Sequence, residues 1–145
     1  MKKLTLIVVL VGLAVVAARA LRSDAPDEKL VFDRIWLDHL PANDRDMVHV
    51  FAVLRDDGFG VFQSTSRWKG EHELFQNEPR GGKLVVFYPQ SRQREEITYR
   101  AGACDGGEFE YCLELKGASR GVKKYVSKKG WEIGSRADLM KLPPS

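Results

Sequence analysis

Cysteine is scarce in this chain, and its two copies are not arranged for chemistry. Cys104 and Cys112 stand eight residues apart. They form no C-x-x-C, the spacing that redox and metal-binding pairs favour. Other signatures are absent too. There is no G-x-S-x-G, no P-loop and no EF-hand loop. His72-Glu73-Leu74-Phe75-Gln76 lacks the second histidine of a zinc-protease helix. Gly58-Phe59-Gly60-Val61-Phe62-Gln63 lacks the third glycine of a dinucleotide loop and the helix after it. It reads as the exit of a hairpin. Nothing in these patterns calls for a metal or another cofactor. There is no internal repeat and no low-complexity tract.

A surplus of charge is also missing. The 145 residues carry 23 Lys+Arg and 20 Asp+Glu. Lys2, Lys3 and Arg19 belong to an N-terminal stretch that reads as a leader, and without them the count is 20 against 20. The basic balance therefore lies in the leader, and general nucleic-acid binding through net charge loses its support. The charge that remains is uneven. Residues 21–60 hold five basic and nine acidic side chains, whereas 61–100 and 101–145 are each net +2.

The leader starts Met1-Lys2-Lys3, continues with an apolar run from Leu4 to Ala18, and reaches Ala18-Arg19-Ala20, an A-x-A exit. This is the pattern of a signal peptide cleaved after Ala20. The run is short for a membrane span, which needs roughly 20 residues. Retained, residues 4–18 would be an anchor, and only then would the protein be held at a membrane. No cysteine near residue 20 offers a lipid attachment. The expected location is outside the cytoplasm, periplasmic or secreted. Residues 21–29, with Pro26 and several charges, read as a linker.

The remainder fits one domain, placed at 30–135, with a tail over 136–145. Its 14 aromatic residues argue for a packed core. Short β-branched and aromatic runs recur about every ten residues, separated by turns rich in Gly and Pro. That rhythm predicts an all-β fold, an antiparallel meander of about eight strands closing as a barrel or sandwich. Strands are expected at Val31–Leu37, Met47–Leu54, Phe59–Trp68, Glu71–Gln76, Lys83–Tyr88, Glu95–Ala103, Tyr111–Lys116, Val122–Ser127 and Trp131–Ile133. Asp57-Gly58 predicts a type I′ hairpin turn, and Glu78–Gly82 a plain turn. The tail, Arg136–Leu142, has the pattern of one or two helical turns.

The two cysteines predict a disulfide on the outer face of a hairpin. Alternation puts Tyr111, Leu113 and Leu115 on one face and Cys112 on the other. Setting Cys104 opposite Cys112 matches Ala103 with Leu113 and Ala101 with Leu115, and leaves Arg100 facing Lys116. An oxidising compartment agrees with the leader.

Functional residues are sparse. His49 between Val48 and Val50 reads as a half-buried sheet residue, and His39 has Asp33, Asp38 and the acidic loop Asp44–Asp46 within reach. Glu71 and Glu73 are expected on a wet face. Glu95 and Glu96 fall on opposite faces and make a poor acid–base pair.

Trp36, Trp68, Tyr99, Tyr111 and Trp131 are the candidates to line a pocket for a small apolar ligand, since eight-stranded barrels have room for one. Arg120, Lys123, Lys124, Lys128 and Lys129, interleaved with Tyr125 and Trp131, form a basic stripe for an anionic envelope component, lipid or polysaccharide. As a solvated edge, the same lysines would guard against edge-to-edge pairing. The leading expectation is an exported, non-enzymatic β-domain that binds a small apolar ligand or a protein. An anionic-surface module is the alternative, and a hydrolase assembled from His39, His49 or His72 with Ser64 or Ser66 is a third.

Overall fold

A computed structural model describes residues 27–139. The leader, most of the linker and the last six residues lie outside the described part. Eight antiparallel strands close into a barrel, each paired with its neighbours in sequence and the last with the first. They are β1 (Ile35–Leu37), β2 (Val48–Val53), β3 (Phe59–Thr65), β4 (Gly70–Arg80), β5 (Lys83–Tyr88), β6 (Gln93–Ala103), β7 (Tyr111–Lys116) and β8 (Lys124–Ser127). A single helical turn, α1 (Arg136–Leu139), follows. Among the described residues no helix is long and apolar enough to cross a membrane.

Alternation decides which side chains enter the barrel. Trp36, Phe51, Phe75, Leu84, Val86, Tyr88, Ile97, Leu113, Leu115 and Tyr125 all point in and are almost wholly buried. Phe75 touches the rings of Phe51, Phe62 and Tyr88 at centroid distances of 6.1, 5.4 and 6.2 Å. The interior is thus occupied by the protein's own side chains.

Both ends are closed. At one end residues 27–32 fold under the barrel. The Asp27 amide donates to the Ala101 carbonyl, Val31 and Phe32 join the core, and the Trp36 indole N–H donates to the Val31 carbonyl at 3.1 Å. The other end carries the loops after β1, β3, β5 and β7, and a polar network described below closes it.

A second apolar cluster lies outside the barrel. Ala52, Leu54 and Val61 are covered by Ile133 and Leu139. The chain after β8 therefore crosses the outer face of β2 and β3, and the Arg136 guanidinium fastens it to Asp57 at 2.7 Å. This covering accounts for the apolar Ala52 on the outer face of β2; Val48 and Val50, on the same face, lie outside it.

Several boundaries differ from the sequence reading. The first strand is shorter, because Val31 and Phe32 belong to the plug. β3 ends at Thr65, before the turn that carries Trp68. β4 runs through Pro79 and Arg80, and only Gly81-Gly82, both with positive φ, make the turn. Proline is tolerated there because it sits next to the hairpin end. Gly58 has φ of 64° but Asp57 is not in the left-handed region, so the β2–β3 connection is a longer loop than a two-residue type I′ turn. Trp131–Ile133 makes only an isolated bridge, Glu132 with Arg34.

The disulfide between Cys104 and Cys112 is present, with Cα atoms 5.1 Å apart. Its register is shifted by two from the expected one. Cys112 lies opposite Gly102, Leu113 opposite Ala101, and Arg100 opposite Glu114. A shift of two preserves which face each residue occupies, so apolar still meets apolar. It also replaces the unfavourable Arg100–Lys116 pairing with an opposite-charge one.

Candidate functional site at the loop end of the barrel

β4 reaches past the aromatic core, so its inward face becomes polar at the loop end. Glu73 is two residues before Phe75 and shares its inward face. It is not on a wet outer face, as its charge suggested. The Glu73 carboxylate accepts the Arg120 Nε–H at 2.7 Å. Arg120 also donates to Gln93 at 2.9 Å and to the Ser119 hydroxyl, and its guanidinium lies 4.4 Å above the Tyr88 ring. The Tyr88 hydroxyl donates to Glu95, which also accepts the Ser119 amide at 3.1 Å. Burial and the neighbouring Glu95 carboxylate raise the Tyr88 pKa far above its ordinary value. The Glu73 carboxylate beside Arg120 likewise raises the guanidinium pKa. The network caps the core and occupies Arg120 fully.

Beside this cap is an open cleft of about 340 Å³ whose lining includes His49, Phe62, Ser64, Glu71, His72 and Arg120. His49 points into the mouth from β2, and Ser64 is its register partner on β3. The His49 Nδ1 lies 2.8 Å from Asp38 Oδ2. Asp38, just past β1, also accepts the amides of His39 and His49, both at 2.9 Å. Asp38 is therefore the fixed point of this corner, and its contact with Nδ1 leaves the far nitrogen of His49 without a part in that bond. Among the described residues no cluster is arranged to hold a metal ion.

The loop between β1 and β2 forms one wall of a second cleft, of about 480 Å³, on the outside of the barrel. Its floor is Leu37, Val48 and Val50, and its walls include Pro41, Asp44, Asp46 and Arg67. The loop is tied down at several points. His39 reaches Asp38 at 3.0 Å and Asp46 at 3.1 Å, and Asp46 accepts the Ala42 amide at 2.9 Å. Arg67 pairs with Asp44 at 2.7 Å and its amide donates to the Asp44 carbonyl.

Trp68 follows Ser66 and Arg67 of this lining in the chain, on the turn between β3 and β4. It is 74% exposed, and with Leu40, at 41%, it makes up the exposed large hydrophobic side chains of the described residues. Its turn is well defined: the Ser66 amide donates to the Lys69 carbonyl at 2.7 Å, and the Lys69 amide donates to Ser66 Oγ at 3.2 Å. The Arg67 guanidinium lies 5.5 Å from the Trp68 ring.

The five aromatic candidates are dispersed. Trp36 and Tyr99 are in the core, Tyr99 with its hydroxyl on the Glu28 carbonyl. Tyr111 lies under the Arg34 guanidinium at 4.3 Å, and Trp131 meets Phe109 edge-on. Tyr111 and Trp131 are partly buried, and of the five Trp68 is the exposed one. The basic stripe is divided as well. Arg120 is inside the cap, Lys128 lies over Phe109, and Lys123, Lys124 and Lys129 are exposed. Sequence reasoning reached His39, His49, Ser64 and Trp68, placed Glu73 on a wet face, weighed Glu95 only against Glu96, and gave Tyr88 no role. Strand parity carried to the barrel mouth was the signal for them, from Phe75 to Glu73 on β4, from Leu84 and Val86 to Tyr88 on β5, and from Ile97 to Glu95 on β6. Compared with protein-family models, curated proteins and solved structures, the chain matches none.

Proposed function

We propose that this is an exported binding protein whose barrel is a scaffold and whose working surface is the outer cleft beside Trp68, which docks a protein partner. The carrying observation is an indole 74% exposed on a hydrogen-bonded turn. Rigid aromatic side chains such as this one dominate the energetics of protein–protein contacts. The outer cleft, with Leu37, Pro41, Ser66 and Arg67 around its opening over Val48 and Val50, supplies a receptor for a partner side chain. Export is supported by the leader pattern together with the disulfide. An enclosed apolar ligand is a weaker form of the reading, because side chains occupy the interior and both ends are capped.

Photo-cross-linking in producing cells tests this. A photoreactive residue at position 68 or 40 is expected to give one discrete protein adduct, and one at the exposed Lys116 none. Equal adduct patterns from all three positions would remove the reading.

A second reading has one specific observation behind it. Asp38 holds the His49 Nδ1, and His49 and its register partner Ser64 both line the 340 Å³ cleft, the residue types of a base-activated serine. On this reading a fluorophosphonate ester labels Ser64, and His49→Ala abolishes labelling. An unlabelled wild-type protein eliminates it.

A further inference from the structure

We propose that His39 is a pH-dependent latch on the wall of the Trp68 cleft, closed when its ring is protonated on both nitrogens. Its regulatory use rests on the docking reading above. The latch itself rests on geometry. The loop from Asp38 to Met47 leaves β1 and returns to β2, and its middle forms the cleft wall. The His39 ring spans the two ends of that excursion, with one nitrogen on Asp38 and the other on Asp46. A neutral imidazole has a single N–H. Both contacts are therefore hydrogen bonds only in the imidazolium, and loss of the proton sets a ring lone pair against a carboxylate.

The surroundings favour the charged ring. Among the described residues, neither Asp38 nor Asp46 has a lysine or arginine ion-paired to it. His49 from β2 shares Asp38, and Tyr125 from β8 feels the Asp38 charge. Lys124 and Arg100 border the neighbouring outer groove with Asp38, while Arg67 is engaged by Asp44. The hydrogen bond from His39 to Asp46 heads the causes that raise the His39 pKa, with the Asp38 and Asp46 charges adding to it. The Ala42 amide, then His39, hold Asp46 below the usual carboxylate range.

The sign follows from linkage. The latch contributes fully below the ordinary histidine value of about 6.5 and is lost as pH rises through the raised folded value. At the acid end it persists until Asp46 protonates, below its ordinary range. The His39 side chain is 43% exposed, so protons reach it freely and the effect is confined to the loop. A preformed wall spares the partner the cost of ordering it, so docking is stronger in mild acid.

NMR titration of the full chain from pH 5 to 9 reads the latch directly. The His39 ring is expected to titrate above ~6.5, and protection of the Ala42 amide to fall at the same midpoint, beyond the general base dependence of exchange. Asp46→Asn keeps an acceptor for Ala42 but lowers the midpoint. His39→Gln makes Ala42 protection independent of this step. A His39 midpoint at or below the ordinary value, or Ala42 protection that does not follow it, overturns the latch. For its use, the adduct from position 68 is expected to fall at least threefold between pH 6 and 8.5, and not in His39→Gln. An equal yield at both values overturns the regulation while leaving the docking surface standing. Absence of any adduct at both values overturns docking and regulation together, independently of the NMR result.

Discussion

Phe75→Ala is expected to destabilise the barrel by about 3–5 kcal/mol, the range for emptying a fully buried aromatic site. Phe75 has no exposure and touches three other rings. Its ring also lies over Gly60 so closely that a Cβ there would come within 2.2 Å of Phe75 Cζ. The glycine in Phe59-Gly60-Val61 is thus a packing requirement. Strands on both sides of the void are held by the closed ladder, so the site collapses poorly and the cost falls near the upper end. Urea unfolding would show it as a lowered midpoint with unchanged slope. A loss below about 1 kcal/mol would mean that the interior is not packed as described, since even one buried methylene counts for nearly that much.

Replacing both cysteines by serine is expected to cost about 2.5 kcal/mol, from the chain entropy of a short closed loop. The staple closes the β6–β7 hairpin on the outer face, away from the cap and from the Trp68 cleft. Its loss should lower stability without altering partner binding or the His39 titration. Unfolding of the double variant beside wild type under non-reducing conditions measures the effect. Equal midpoints would show that the hairpin register is already fixed by its turn and its apolar pairs.

That hairpin shows what the sequence made legible. Alternating polarity in Tyr111–Lys116 specified the face of every side chain, and faces survive a two-residue slip. The register did not follow, because Cys104 opposite Cys112 and Cys104 diagonal to it both permit a disulfide. The eight-strand meander was readable from strand rhythm and turn residues. Ring closure was not, because the β1–β8 pairing that seals it rests on a single residue pair, Leu37 with Val126. The strand-like Val31 and Phe32 pack as a plug, since the core beneath the barrel needs apolar cover that no strand supplies.

The site was legible in pieces. Trp68 was noted among five aromatics, and its exposure follows from β3 ending three residues before it. His39 was read as within reach of Asp38 and Asp44–Asp46, and it joins Asp38 to Asp46. Arg120 was pooled with nearby lysines because all are cationic. Its inward direction depends on the loop 117–123 folding over the mouth, which no local pattern encodes. Glu95 and Glu96 did fall on opposite faces, one inside on Tyr88 and one outside on Lys83.

On the docking proposal the barrel works through the cleft beside Trp68 rather than through its interior. Affinity for the partner captured at position 68, measured for wild type and Trp68→Ala by calorimetry, tests it most directly. A loss of at least about 30-fold is expected, equivalent to a hot spot of roughly 2 kcal/mol, with an unchanged melting temperature. Equal affinities of the two proteins would contradict it.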